Sequence, residues 1–305
     1  MKMPTANIER VDEIRAVRRV TIGGMVVNVA LSAFKAAAGW LAGSHALLAD
    51  AVHSASDLVT DFAVLLGVRY WTAPADREHP YGHGKIQAVV AAAIALALVA
   101  VAVGIGRSAV LRIMASADGA EPSAAPASFA FWIAVASLVA KESVYRWTMS
   151  VARQFRSSAL EANAWHHRSD AISSIPVALA LAVTHFAPSL AWVDSLGALV
   201  VAVFILKAAW DVLKPAIEEL TDAEMPGKSA EVRQIALGVD GVRGCHRVRT
   251  RRYGSVFQAD LHIQVARTLS VCDGHAIGHA VHDAVRSAGI GVVDVVVHVE
   301  PEKCS

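Results

Sequence analysis

The chain has 305 residues, 55% hydrophobic and 18% charged, with a formal net charge of +1. A mean hydropathy of +0.45 is too apolar for an ordinary soluble enzyme, and the near-neutral balance supplies no basic face for nucleic acid. Cys245, Cys272 and Cys304 all lie in the polar C-terminal part, where a reducing compartment would keep them as thiols, so no disulfide framework is implied.

The first twenty residues mix acids with bases and lack the basic-then-apolar order of a cleavable signal. Six apolar segments follow, at about 20–42, 46–70, 86–106, 128–149, 158–184 and 189–212, near the ~20 residues that cross ~30 Å of hydrocarbon. On one side the connections carry Lys2, Arg10, Arg15, Arg18, Arg19, Arg69, Arg77, Lys85, Arg146, Arg153 and Arg156, whereas the other side offers only Arg107 and Arg112. That bias predicts both termini in the cytosol. Residues 115–129 form a loop rich in Ala and Ser, and 213–226 read as a charged linker.

Beyond the linker the pattern changes to helix (about 228–238), strand (241–252), strand (255–266), helix (271–288) and strand (291–300). Ser270 with Asp273 suits a helix N-terminus, Gly289 suits a stop, and Tyr253-Gly254-Ser255 suits a hairpin. The expected fold is therefore an α-helical membrane protein: six transmembrane helices in a transport domain over 1–212, then an α+β, ferredoxin-like cytosolic domain over 227–305.

Ionisable residues inside apolar segments are expensive, so function is sought there first. The second segment carries Asp50, His53, Asp57 and Asp61; the fifth carries His166, His167 and Asp170. His53 precedes Asp57 by four residues and His166 precedes Asp170 by four, a spacing that stacks each pair on one helix face. If the faces meet, two imidazoles and two carboxylates suit tetrahedral Zn²⁺ and accommodate Cd²⁺, Co²⁺ or Fe²⁺. In the turn between segments two and three, Asp76, His79 and His83 have the spacing of a second metal site. In the C-terminal domain, period-two alternation puts Asp260 with His262, and His298 with Glu300, opposite the apolar Leu261, Ile263, Val297 and Val299.

ALLADAVHSASD, ADREHPYGHGK and AWHHRSDAISS, with HRVRTRR, DLHIQV and VVVHVEP downstream, together resemble a cation diffusion facilitator over nearly the whole chain. The resemblance implies a homodimeric antiporter of the inner or plasma membrane that exchanges a cytosolic divalent cation for protons. It implies His53, Asp57, His166 and Asp170 as the transport site. A His at position 53 resembles zinc-transporting members, whereas manganese members tend to carry two acidic residues. It further implies a metal at Asp76, His79 and His83, and a binuclear site near the dimer interface at His246, His262, His275, His298 and Glu300. Glu300 departs from the Asp common there. Lys85 is matched with Asp222 as a structural ion pair. Zn²⁺ is the expected cargo and the expected structural or regulatory ion, and no organic cofactor is implied.

Other polar residues have plainer expected roles: His45 and His185 lie in external turns, Lys35, Lys141, Glu142 and Arg146 snorkel or pair, His279 and His282 are surface histidines, and Cys304 is a tail thiol. Asn28, Asn163, Asp50 and Asp61 sit nearer the presumed pathway. Two rivals remain. An intramembrane metal hydrolase would need a motif such as HExxH, which this sequence lacks. A sensor without transport would have no need of two costly intramembrane His–Asp pairs.

Overall fold

The computed structural model describes residues 5–117, 125–155, 157–254 and 256–302. Lys2, Arg156 and Cys304, with the side chains of Arg10 and Asp61, lie outside the described residues. In chain order come α1 (Thr5–Ala42), α2 (His45–Trp71), α3 (Ile86–Ala117), α4 (Phe129–Phe155), α5 (Ser158–Phe186), α6 (Trp192–Leu220), α7 (Lys228–Leu237), β1 (Gly244–Tyr253), β2 (Val256–Val265), α8 (Val271–Ser287) and β3 (Val292–Pro301). All six apolar segments are helical. Among the described residues, four stretches are long and apolar enough to cross a membrane: Arg15–Ala42, Ile86–Ala117, Asn163–Phe186 and Trp192–Leu220. Their neighbours α2 and α4 have similar length but carry Asp50 and Asp57, and Lys141, Glu142 and Arg146.

The chain divides into two compact units, Met1–Phe62 with Leu96–Ala209, and Ala63–Ala95 with Trp210–Ser305. In the first unit, large apolar side chains such as Trp40, Leu41, Leu96 and Phe186 are exposed, the surface a bilayer solvates and water does not. Its core is built largely from small residues, Ala42, Ala46, Ala130, Ala134 and Ala198, around Leu47, Val177, Leu181 and Ile205. Small residues let helices approach closely. A Cβ on Gly197 would lie 2.8 Å from that of Ala180 and 3.0 Å from that of Ala46, so α2, α5 and α6 cross where only glycine fits.

The start of α2 is fixed from far away in sequence. Asp194, 3% exposed, accepts from Ser44 Oγ at 2.6 Å, from the His45 amide at 2.6 Å and from the Ala46 amide at 3.3 Å. A carboxylate there satisfies amides that no helical carbonyl can reach and meets the positive end of the helix dipole.

In the second unit the order α7-β1-β2-α8-β3 is a ferredoxin-like βαββαβ pattern without its first strand. Strand order is β1-β2-β3, with β1 antiparallel and β3 parallel to β2. With no first strand to separate them, β2 and β3 lie side by side across the α8 crossover. Val232 and Ala236 of α7 and Val281 and Val285 of α8 bury one sheet face, against Leu261, Ile263, Val265 and Val295. Ser270 caps α8, its Oγ accepting from the Asp273 amide at 3.1 Å, and Gly289 follows the helix at φ +71°.

Candidate metal sites

In the first unit, α2 and α5 bring donor atoms of Asp57, His166 and Asp170 within 4.8 Å of one another. His166 Nε2 lies 3.8 Å from Asp170 Oδ2; Asp170 is buried and His166 is half open. His53, the fourth expected ligand, is not in this group. It sits four residues before Asp57, the same spacing as His166 and Asp170, so a change of side-chain rotamer is what would bring its ring to the same ion. His53 is 8% exposed and its buried Nδ1 has no hydrogen-bond partner among the described residues, an orphaned nitrogen of the kind an incoming cation would satisfy. His167 points elsewhere: it is buried, with Nε2 3.5 Å from Asn163 Nδ2.

The loop after α2 gathers Asp76, His79 and His83. Asp76 Oδ1 accepts from the His79 amide at 2.7 Å and the Glu78 amide at 2.9 Å, folding the loop so that His79 Nδ1 and His83 Nε2 each lie 3.4 Å from the Asp76 carboxylate. The imidazole centroids are 4.3 Å apart. The His79 amide leads the causes that hold the Asp76 carboxyl below its ordinary range, followed by the Glu78 amide and the two imidazoles. An acceptor-only carboxylate between two imidazoles suits a divalent cation. Gly84 closes the loop: its amide donates to Tyr253 Oη at 2.6 Å, and a Cβ there would meet the tyrosine ring at 2.5 Å. Nearby, Lys85 Nζ lies 2.7 Å from Asp222 Oδ1. Glu219, which the sequence does not single out, is buried and accepts from the Gly254 amide at 2.7 Å, bracing the β1–β2 turn.

The sheet supplies a third cluster. His246, His262 and His298 are register partners across β1, β2 and β3, on the face opposite the helices. Glu300, two residues beyond His298, reaches all three: 2.8 Å to His262 Nδ1, 3.3 Å to His246 Nε2 and 3.6 Å to His298 Nε2. The hydrogen bond with His262 is the main cause holding the Glu300 carboxyl below its ordinary range, and the other imidazoles reinforce it. The donor atoms of His246, His262 and Glu300 lie within 4.8 Å of one another, with His298 outside that group, and two imidazoles with a carboxylate suit Zn²⁺. What aims His246 is a bulge. The register slips between His246 and Arg249, Arg247 takes φ +50°, and the extra residue reverses the inward–outward alternation of β1. Cys245 is buried as a result, and its thiol is pushed up by desolvation.

His275 stands apart from this row. It is on α8, which covers the other sheet face, and its ring lies 4.5 Å from that of His279. It reaches Glu300 only as a fellow lining residue of a cavity of about 300 Å³.

Residues 22–221 match the model of the cation efflux transmembrane domain, and 226–302 that of the cation efflux protein cytoplasmic domain. Metal tolerance protein C1 of Arabidopsis thaliana is 37% identical over 290 residues, covering 91% of this chain and 61% of that protein. Metal tolerance protein 2 of Oryza sativa subsp. japonica is 37% identical over 303 residues, covering 90% and 76%. Manganese efflux system protein MneP of Bacillus subtilis is 28% identical over 290 residues, covering 93% and 96%. The chain thus spans about three fifths of the Arabidopsis protein and nearly all of the Bacillus one. With both regions matched, it belongs to the cation diffusion facilitator family of multi-pass membrane proteins that move divalent metal cations, and is a transporter and not an enzyme.

Proposed function

We propose that the chain exports Zn²⁺, with Cd²⁺, Co²⁺ and Fe²⁺ also accommodated, in exchange for protons. The observation that carries this reading is the convergence of Asp57, His166 and Asp170 between two apolar helices, with the unpartnered His53 nitrogen nearby. Two imidazoles and two carboxylates would hold the ion tetrahedrally. These ligands bind metal only when deprotonated, and imidazole titrates near ~6.5, so protons arriving at His53 and His166 would release the cation. Six membrane crossings, both termini in the cytosol and a homodimer in the inner or plasma membrane complete the proposal. Asp76, His79 and His83, together with His246, His262, His275, His298 and Glu300, would bind cytosolic metal in a regulatory or structural role, with Lys85 and Asp222 interlocking. In proteoliposomes, uphill Zn²⁺ uptake should stop when an ionophore collapses the proton gradient; undiminished uptake would remove the antiport reading.

A second cargo has an observation in its favour. Without His53 the grouped donors are two carboxylates and one imidazole, a harder set that suits Mn²⁺, and a relative is named as a manganese efflux protein. Metal competition separates the two: Zn²⁺ preference that weakens toward Mn²⁺ in His53→Ala places His53 in the coordination shell, whereas Mn²⁺ preference in the unaltered chain leaves it out.

A further inference from the structure

Next to the Asp57–His166–Asp170 cluster lies a set of buried charges that coordinates nothing in the proposal above. Lys35 of α1 is 0% exposed and Asp50 of α2 1% exposed, with Nζ 2.8 Å from Oδ2. Ser174 Oγ lies 2.9 Å from the other Asp50 oxygen and 3.1 Å from the Asp170 carbonyl, to which Lys141 Nζ donates at 3.2 Å. Both ammonium groups converge on Ser54 Oγ, Lys35 at 3.2 Å and Lys141 at 3.5 Å. Lys141, Ser54 and Ser174 are buried as well.

These groups form a layer on one side of the cluster. Going back along α2 from Asp57, Ser54 comes after about one turn and Asp50 after about two, a distance of ~10 Å. Going forward along α5 from Asp170, Ser174 comes after about one turn, and the Ser174–Asp50 contact shows that the two helices climb this layer together. Beyond it, toward His45, the fully buried Leu47, Val177 and Leu181 continue the closure with apolar packing. On the opposite side His166 is 54% exposed. The cluster is therefore open on one side and closed on the other.

We propose that Lys35, Asp50 and Lys141 form an electrostatic barrier on the His45 side of the transport site, which sets how tightly a divalent cation is held and stops it leaving that way until Lys35 and Asp50 part. The inference rests on Asp57, His166 and Asp170 being that site. Three carboxylates, the buried Asp50 and Asp170 and the half-buried Asp57, face two ammonium groups, an excess of one negative charge. A divalent ion turns that into an excess of one positive charge, so the loaded site repels its cargo from the lysine layer. Pairing keeps Asp50 from acting as a further stop for the ion. At an effective dielectric of ~20 and ~10 Å, one unit charge changes the affinity for a divalent ion by about two orders of magnitude, and relaxation of the surroundings leaves about tenfold as the smallest expected effect.

The two partners must act in opposite directions, which a merely structural pair would not do. In proteoliposomes of the full chain with Zn²⁺ as the probe, Lys35→Met should lower KM by about tenfold or more and admit passive Zn²⁺ leak without a proton gradient. Asp50→Asn, which leaves Lys35 without its partner, should raise KM by about tenfold or more with no leak. The double variant Lys35→Met/Asp50→Leu should bring KM back at least halfway. It also serves if Lys35→Met fails to fold, because replacing both partners of a buried pair is tolerated far better than stranding one. Single variants that shift KM in the same direction overturn the barrier, as does an unchanged KM in Asp50→Asn or a double variant no different from it. Asp57→Ala run alongside separates the two failures: Zn²⁺ transport that survives it overturns the site itself, whereas its loss beside same-direction shifts at positions 35 and 50 overturns the barrier alone.

Discussion

Asp170→Asn isolates the charge of one ligand from its shape. The side chain is nearly isosteric, and the contacts that anchor this part of α5, Lys141 Nζ at 3.2 Å and Ser174 Oγ at 3.1 Å, go to the Asp170 backbone carbonyl, which the substitution leaves in place. Its carboxylate and that of Asp57 lie within 4.8 Å, a separation at which two unit charges repel by about 3.5 kcal/mol at an effective dielectric of ~20. A divalent ion between them interacts with each at roughly half that distance, with twice the charge and the opposite sign. Removing one carboxylate therefore forfeits more attraction than the repulsion it relieves. Groups that merely orient metal ligands are worth ~10–100-fold in affinity, so a ligand's own charge should be worth at least ~100-fold, or about 2.7 kcal/mol. Indicator-loaded proteoliposomes report Zn²⁺ uptake against concentration. The expected result is a fully folded protein with KM raised ~100-fold or transport lost. A KM within ~10-fold of the unaltered chain would refute Asp170 as a charged ligand.

Two further outcomes concern the second unit. In the metal-free protein, carboxyl NMR should show Glu300 titrating below its ordinary 4.5 and Asp76 below 3.8. A depressed carboxylate adds stability above its unfolded value that is lost as pH falls through its folded one, so both contributions persist at neutral pH and fade in acid. His262→Ala should move Glu300 back up, since that imidazole is the leading cause, and an unmoved Glu300 would dissolve the cluster. Tyr253→Phe removes the acceptor of the Gly84 amide, a loss of about 1 kcal/mol, and hydrogen exchange at Gly84 should quicken about fivefold; unchanged protection would mean that the phenol does not hold the loop.

The sequence carried the local part of this architecture and lost the parts that depend on distant partners. Alternation placed His262, His298 and Glu300 on one face because β2 and β3 run without interruption through those residues. It could not place His246: the bulge at Arg247 has no glycine to betray it, and strict alternation through β1 from Thr250 would have turned His246 inward. His275 lies on α8, which packs on the other sheet face, so strand alternation carries no information about its place. His53 with Asp57 and His166 with Asp170 have the same spacing, yet the grouped donor atoms include both of the second pair and only Asp57 of the first, because spacing sets the helix face and not the side-chain rotamer. Asp194 at the start of α2 lies about 150 residues from the amides it caps, and no local pattern marks it.

Two of the six long helices show how charges in an apolar segment are answered by distant partners. They are α2, which carries Asp50 and Asp57, and α4, which carries Lys141. A sum over single residues charges each ionisable group the full cost of leaving water. In the folded unit Asp50 faces Lys35 at 2.8 Å and Lys141 donates to a carbonyl and approaches a hydroxyl, so much of that cost is offset inside the protein. Lys35 is the clearest case: an interior position on α1 with ~10 Å of helix to its nearer end would leave snorkelling a poor solution, and a partner on the next helix solves the problem instead. Counting residues one at a time thus undervalues α2 and α4, whose buried charges find their partners inside the folded unit.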